Sequence, residues 1–468
     1  MMFAGIKKIH FVGIGGSGMS SIAEVLLRLN YEVSGSDIED SDLLHRLSNH
    51  GARISIPHAA ANVAGSDLVV FSNAIARDNP ELVAARKASI PIIPRAEMLA
   101  GLMRMNKCGI AVAGTHGKTS TASMIAEVLK TANLDPTVVI GGIVSDVGSG
   151  GRLGAGDVLV AEVCESDGTI LKVSPTIGVI TSLEREHMNH YASEEELFST
   201  FVAFANEVPF YGTIIVCLDQ PNLKALIPRI KRRLVTYGLS AEADLMAQDM
   251  AFESFVSRFD VYRRSGGGRQ RLGRIEIPTP GMLSIYNALA ATAVGLELGI
   301  DFDVIRKSLA KFVRPKRRFE LKGMVHDIMV IVDYGHHPTE IRETLKAAKL
   351  GWQRRLLVAF QPHRFTRTQD LLKRFFTAFG DADFLIITSI YPAGEKPIKG
   401  VSARLILEGV RRAGHSSAHF VKEMTQAAQR LVNEARPGDM IIILGAGDIY
   451  KIGEVVLSGL QQRFGGEG

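Results

Sequence analysis

Short apolar runs rich in β-branched residues recur along the chain, at Ile9–Ile14, Leu68–Ser72, Ile110–Ala113, Val158–Glu162, Ile177–Thr181, Ile214–Leu218, Ile328–Asp333, Leu356–Phe360, Phe384–Thr388 and Met440–Leu444. Between them lie stretches of about ten to fifteen residues in which apolar positions return every three or four. Strands without polar alternation are buried on both faces, so the pattern predicts parallel sheets covered by helices, an α/β fold. Two places interrupt the rhythm. A helical pattern ends around Met103–Lys107, just before Ile110–Ala113, and a basic, proline-containing stretch runs from Lys311 to Arg318. They predict three domains, 1–105, 106–313 and 314–468. From Asp244 to Thr279 the spacing becomes strand-like, and Arg263 to Arg269, with glycines at 266, 267 and 268, reads as a hairpin tip.

A length of 468 residues, at about 150 per domain, also suggests three cores. An apolar content of 46% with 22% charged residues is that of a globular protein, not a disordered or fibrous one. No stretch reaches the roughly eighteen apolar residues that span a bilayer, and Lys7 and Lys8 are not followed by the apolar core of a signal peptide, so a cytoplasmic location is expected. Cys108, Cys164 and Cys217 include no C-x-x-C pair, which argues against a disulfide framework or a zinc site and for small buried hydrophobes. The net charge of +5 is diffuse, with clusters at Lys231–Arg233 and Arg314–Arg318. It suits anionic small molecules, and with no aromatic-rich basic stripe nucleic acid is not an expected partner.

Candidate chemistry begins at Gly114-Thr115-His116-Gly117-Lys118-Thr119-Ser120, between an apolar run and a helical pattern from Thr121 to Lys130. A strand, a glycine turn, Lys-Thr and a helix make a cradle for nucleotide phosphates. Backbone N–H groups and the positive helix end face the anion, Lys118 adds a charge, and the Thr119 hydroxyl can ligate Mg²⁺. The expected ligand is ATP. The motif is shorter than the usual P-loop, whose first glycine would fall at Val112. A second glycine turn, Gly13-Ile14-Gly15-Gly16-Ser17-Gly18, follows the first strand and precedes a helix expected near Met19, with Asp37 further on. This turn suits a nucleotide diphosphate. A nicotinamide dehydrogenase would use it too, but the second phosphate loop downstream counts against one.

More candidates follow strand ends, where ligands collect in parallel sheets. Glu162, Glu165 and Asp167 follow one strand, and Glu184, Glu186, His187 and His190 follow the next, a combination that favours a metal site. Asp333-Tyr334-Gly335-His336-His337-Pro338 and Gln361-Pro362-His363-Arg364-Phe365-Thr366-Arg367 lie at two more. Arg364 and Arg367 would share one face of a helix starting there and could clamp a carboxylate.

Taken together, these motifs resemble the Mur ligase family over nearly the whole chain. The resemblance is carried by Gly13–Ser20, Gly114–Thr119, Glu165-Ser166-Asp167, His187-Met188, Arg317-Arg318-Phe319, Tyr334–Glu340 and Pro362–Thr368, and the last two point to the alanine-adding branch. It implies a Rossmann-like N-terminal domain for a UDP-sugar, a central P-loop ATPase-type domain with a parallel or mixed sheet, and a Rossmann-like C-terminal domain that closes over ATP. It further implies ATP-driven amide synthesis in bacterial peptidoglycan assembly. The lactyl carboxylate of UDP-N-acetylmuramate would form an acyl phosphate that L-alanine displaces, with Mg²⁺ as cofactor and a monomer or homodimer as the working form. By the same resemblance, Lys118, His187 and Arg367 are catalytic. Gly114 to Ser120, Asn287, Arg318 and Asp333 bind the nucleotide, and Thr119, Glu165 and His187 hold the metal. Gly13, Gly15, Gly16, Ser17, Gly18, Asp37, Tyr334, His336, Arg364 and Arg367 bind substrate. The chain departs from the family at Leu283-Ser284, where His-Asn is usual, at Glu162-Val163-Cys164-Glu165, at Glu186 and Asn189 beside His187, and at Val332. Two other readings use the same motifs: a recycling ligase that attaches a whole peptide, and a UDP-sugar-binding regulator without turnover.

Overall fold

The computed structural model describes residues 3, 5–144, 149–165, 168–186, 188 and 190–465. Three sheets succeed one another along the chain. The first holds β1 (Lys8–Val12), β2 (Glu32–Ser36), β3 (Arg53–Ser55), β4 (Leu68–Phe71) and β5 (Ile92–Pro94), all parallel, in the order β3-β2-β1-β4-β5. The chain reverses its direction of progress on either side of β1, so the carboxyl end of β1 is a crevice, and the first glycine turn sits there.

The second sheet has ten strands: β6 (Cys108–Ala113), β7 (Thr137–Val144), β8 (Ser149–Arg152), β9 (Val158–Glu162), β10 (Ile177–Ile180), β11 (Thr213–Cys217), β12 (Leu234–Gly238), β13 (Leu245–Glu253), β14 (Val256–Ser265) and β15 (Gly268–Ile277). Their order is β15-β14-β13-β12-β11-β10-β6-β9-β7-β8. It is parallel from β13 to β7 and antiparallel at both margins. The expected hairpin is β14–β15, turning through Gly266 and Gly267 at φ of +54° and +85°. The third sheet contains β16 (Glu320–Val325), β17 (Ile328–Asp333), β18 (Leu356–Phe360), β19 (Phe384–Ile387), β20 (Ala418–Phe420) and β21 (Met440–Leu444), ordered β16-β17-β21-β18-β19-β20 and parallel except at its β16 margin.

Burial follows the two-residue period of a covered sheet. Met329 and Ile331 enter one apolar cluster of the third sheet, and Ile328, Val330 and Val332 enter the cluster on its other face. The first two sheets instead share one continuous core. Their join is the helix Ser17–Arg28, laid on β7 and β8. Ser21 Oγ donates to Ile140 O at 2.7 Å, and the Gly151 N–H donates to Glu24 Oε2 at 3.2 Å. This helix begins at Ser17, two residues before the expected start, because its first turn carries no apolar side chain until Met19. The three cysteines form no disulfide, but only Cys217 is fully buried; Cys108 and Cys164 are half-buried. Among the described residues, no helix is long and apolar enough to cross a membrane.

Candidate active site

The phosphate loop leaves β6 and enters the helix Lys118–Thr131. Gly114 has φ +133°, and a Cβ there would stand 2.9 Å from the Ser182 nitrogen, so only glycine fits between the loop and β10's end. Gly117, at φ +80°, lies against the Asn287 side chain in the same way. Lys118 Nζ folds back onto the Gly114 carbonyl and lies 3.4 Å from Glu165 Oε2. Burial would push this amine down, but the negative charge of Glu165 and its neighbours holds it above the ordinary lysine value, so it stays charged. The Thr119 hydroxyl donates to Glu162 Oε2 at 2.9 Å. Thr119 and Glu165 thus have separate partners, and Glu162 is the acid that meets the loop threonine. His187 and Asp167 lie outside the described residues.

Beside the loop, an open cleft runs between the central and C-terminal domains. His116, Gly117, Ser120, Leu283, Ser284 and Asn287 line one wall, and Arg318, Asp333, Glu340 and Thr344 line the other. Asn287 Oδ1 accepts from Thr121 Oγ1 at 3.1 Å. Asp333 accepts from the N–H groups of Phe319 and Gly335, each at 2.7 Å, and from Thr344 Oγ1 at 3.2 Å, while burial raises its carboxyl above the usual range. It therefore shapes the cleft wall as much as it faces it. Arg318 lies over the Tyr334 ring, 5.0 Å from its centre.

The two walls meet at His116. Its Nδ1 is 3.1 Å from Glu340 Oε1 and its Nε2 is 3.4 Å from Glu184 Oε1. Burial would lower its pKa, but the two carboxylates prevail and hold it near 9, so it is an imidazolium. His337 packs against it with ring centres 4.5 Å apart and caps the helix Pro338–Gly351 by accepting the Thr339 N–H at Nδ1, 3.2 Å away. Among the described residues, His116, Glu184 and His337 are a trio at metal-ligand spacing, but their hydrogen bonds oppose that use. His116 has no free lone pair. His337 is neutral, its pKa lowered to about 3 chiefly by burial, and with Nδ1 accepting, its proton is on Nε2. Among the described residues, that buried Nε2 has no hydrogen-bond partner and is a spare donor next to the phosphate loop. Glu184 also binds Thr339 Oγ1 at 3.0 Å and pairs with Arg374. The acids after β10 thus tie the central domain to the C-terminal one.

Arg364 and Arg367 both reach one cleft but do not share a helix face. The helix is Phe365–Asp370, and Arg364 precedes it at φ +72°, outside the helical repeat. Arg367 directs Nε and Nη2 to Glu186 Oε1, at 3.0 and 2.7 Å, and Nη1 to His363 Nδ1 at 3.0 Å. His336 lies 5.7 Å from His363, ring to ring, and 5.4 Å from Tyr334; burial, aided by Arg367, lowers its pKa to about 4.

At the first glycine turn, Gly13 has φ +81° and the Gly15 N–H donates to Asp37 Oδ2 at 2.8 Å. Asp37 also accepts its neighbour's N–H from Ile38, so it pins the turn. Sequence reasoning missed Arg95, whose guanidinium lies directly over Gly18 and would collide with any Cβ there. The available signal was its place just after β5, at the same carboxyl edge as the turn. It also missed the contact of Glu340 with His116 and that of Glu186 with Arg367, which join segments far apart in the chain.

Three family models match in succession: Mur ligase family, catalytic domain, over residues 8–107; Mur ligase middle domain over 112–295; and Mur ligase, glutamate ligase domain, over 317–447. A UDP-N-acetylmuramate--L-alanine ligase of Geotalea uraniireducens (strain Rf4) is 50% identical over 460 residues, 98% of this chain and 99% of that one. Its counterpart in Syntrophotalea carbinolica is 50% identical over 462 residues, 99% of this chain and all of that one. Among solved structures, the UDP-N-acetylmuramate-alanine ligase of Thermotoga maritima superposes with a TM-score of 0.82 at 28% identity, covering 97% of this chain and 99% of that one. A murein peptide ligase of Psychrobacter arcticus, at 0.71 and 23% over 97% and 98% of the two chains, shares the fold. With family models over most of its length and relatives matched end to end, this chain belongs to the Mur ligase family.

Proposed function

We propose that this protein is an ATP-dependent ligase that joins L-alanine to the lactyl carboxylate of UDP-N-acetylmuramate in peptidoglycan synthesis, releasing ADP and phosphate. The parts 1–105, 106–313 and 314–468 bind the UDP-sugar, bind ATP, and close over both. One carboxylate oxygen attacks the γ-phosphorus as ADP leaves, giving an acyl phosphate. The alanine amine then adds to the carbonyl carbon, a proton is lost, and phosphate departs with that oxygen. The enzyme's part is positioning and charge neutralisation. Lys118 stabilises the transferred phosphoryl group, Arg318 and Asp333 serve the nucleotide, and the diphosphate of the sugar nucleotide lies on Gly13 to Gly18 beside Arg95. Tyr334, His336, Arg364 and Arg367 surround the acyl group and the amino acid.

Mg²⁺ would be held by Thr119 and Glu165, with His187. Hard oxygen donors suit the ion, and a threonine hydroxyl whose proton is directed to Glu162 keeps lone pairs for it. Its contribution is to neutralise phosphate charge as ATP reacts.

The observation that carries this reading is the His116–Glu340 contact, which joins the phosphate loop itself to the helix of the other domain that follows Tyr334 and His336. Phosphate release is measured with ATP, Mg²⁺ and UDP-N-acetylmuramate against a panel of amines. Release is expected with L-alanine and not with a tripeptide. Release with the tripeptide alone would mark a recycling ligase, and none with any amine a regulator.

A further inference from the structure

Resting on that reading, a buried carboxylate of the first domain acquires a role in choosing the base of the sugar nucleotide. Glu81, at the start of the helix Pro80–Lys87, has a side chain that is 0% exposed. Its Oε1 accepts from Asn62 Nδ2 at 2.6 Å and from the Ala59 N–H at 3.2 Å. Its Oε2 accepts from Ser36 Oγ at 2.5 Å and faces His10 Nε2 at 3.4 Å and His58 Nδ1 at 3.5 Å. Burial would raise this carboxyl, but the hydrogen bonds from His10, Ser36 and Asn62 prevail and hold it ionised, at about 2.

Counting hydrogens then fixes the histidine. The single proton of the Ser36 hydroxyl goes to Glu81, so at its 2.8 Å contact with His58 Nδ1 that oxygen can only accept. Nδ1 therefore carries the proton, and in the neutral imidazole Nε2 is a bare lone pair. Ser36 and Glu81 are fully buried, whereas the His58 side chain is 11% exposed, so the ring shows solvent the side turned away from them. In folds of this kind a nucleotide runs from the glycine turn after the first strand across the end of the second, where the ribose is held. Its base then lies over the ends of the second and third strands. Ser36 ends β2 and His58 follows β3, two strand spacings, or about 10 Å, from the turn after β1. Uracil presents an N3–H donor on its pairing edge, and cytosine an acceptor at the same place. We propose that Glu81 is a positioning residue that holds His58, through Ser36, in the tautomer whose Nε2 accepts the N3–H of uracil.

Titration calorimetry on the full-length protein with UDP and CDP, at about pH 8.5 and so above the ordinary imidazole value, separates this role from a structural one. The wild type should bind UDP about tenfold or more tightly than CDP, and comparable affinities overturn the proposal. In Glu81→Gln the amide must keep its oxygen toward the Ala59 N–H, which cannot reverse, and so turns its NH₂ group toward Ser36. The Ser36 hydroxyl is then free to donate to His58 Nδ1, and the imidazole proton moves to Nε2. The preference for UDP over CDP should fall about tenfold or more. A carboxylate that only staples the loop to the sheet would, when replaced, weaken both nucleotides by the same factor. That outcome, or an unchanged ratio, overturns the proposal. Should Glu81→Gln not fold, ¹⁵N spectra of the wild-type histidines decide, with His58 identified by the signals lost in His58→Gln. Its Nε2 should be unprotonated and should shift when UDP is added; a protonated or unresponsive Nε2 overturns the proposal. A wild type that distinguishes UDP from CDP in this way but releases no phosphate with L-alanine overturns the ligase reading instead.

Discussion

Lys118 stands among Glu162, Glu165 and Glu186, whose combined charge keeps it protonated despite burial. Removing it leaves the phosphate loop without its cation. Lys118→Ala is therefore expected to lower kcat about a thousandfold or more. UDP-N-acetylmuramate affinity should stay within about twofold by calorimetry, because that ligand's diphosphate is proposed to sit on the other glycine turn. A large loss of affinity would mean that both loops serve one ligand. Arg367→Lys keeps the charge but replaces a fork by a point. A cost of about 2 kcal/mol, or roughly thirtyfold in kcat/KM for L-alanine, is expected, with ATP affinity unchanged; full retention would move the amino-acid pocket elsewhere. Residues such as Lys118 and Gly114 were legible because a local motif encodes them. The ion pairs of Glu186 and Glu340 were not, although both residues stood out in the sequence, since their partners Arg367 and His116 are brought to them only by domain packing.

Every apolar run expected as a strand is one, because β-branched residues buried on both faces leave no other reading. Element starts were less legible. The helix after the first glycine turn opens with polar residues, and Arg364 escapes the helix it precedes by adopting φ +72°. What the pattern could not announce is how elements of different domains touch. The helix Ser17–Arg28 carries the first glycine turn and rests on β8 so closely that a Cβ on Gly151 would lie 2.9 Å from the Ser21 Cα and carbonyl carbon. Backbone cannot swing aside as a side chain does, so Gly151→Ala should cost about 1–3 kcal/mol. A fall in Tm and weaker UDP-N-acetylmuramate binding are expected in scanning calorimetry and titration. An unchanged Tm would show that the helix slides freely on its neighbour.

Across the whole molecule, the contact between the central and C-terminal domains includes the charged His116, held between Glu184 and Glu340. Its folded pKa of about 9 exceeds the ordinary 6.5, so its stabilisation is complete below pH 6.5 and fades as pH rises toward 9, on the order of 3 kcal/mol in all. Glu184, Glu340 and the neutral His337 are the groups that face it. His336 and His337, with pKa values lowered to about 4 and 3, act in the opposite sense: their contribution is complete above pH 6.5 and fades as pH falls toward those values. Tm should therefore decline on both sides of neutrality, and His116→Gln should flatten the alkaline limb; an alkaline limb of undiminished slope in the variant would assign it to other groups. The proposed reaction itself is tested by labelling both lactyl carboxylate oxygens of UDP-N-acetylmuramate with ¹⁸O and analysing the products by mass spectrometry after a single round with ATP and L-alanine. An acyl phosphate requires that one labelled oxygen leave with the inorganic phosphate and the other remain in the new amide. Unlabelled phosphate, with both labelled oxygens still on the sugar nucleotide, would contradict it.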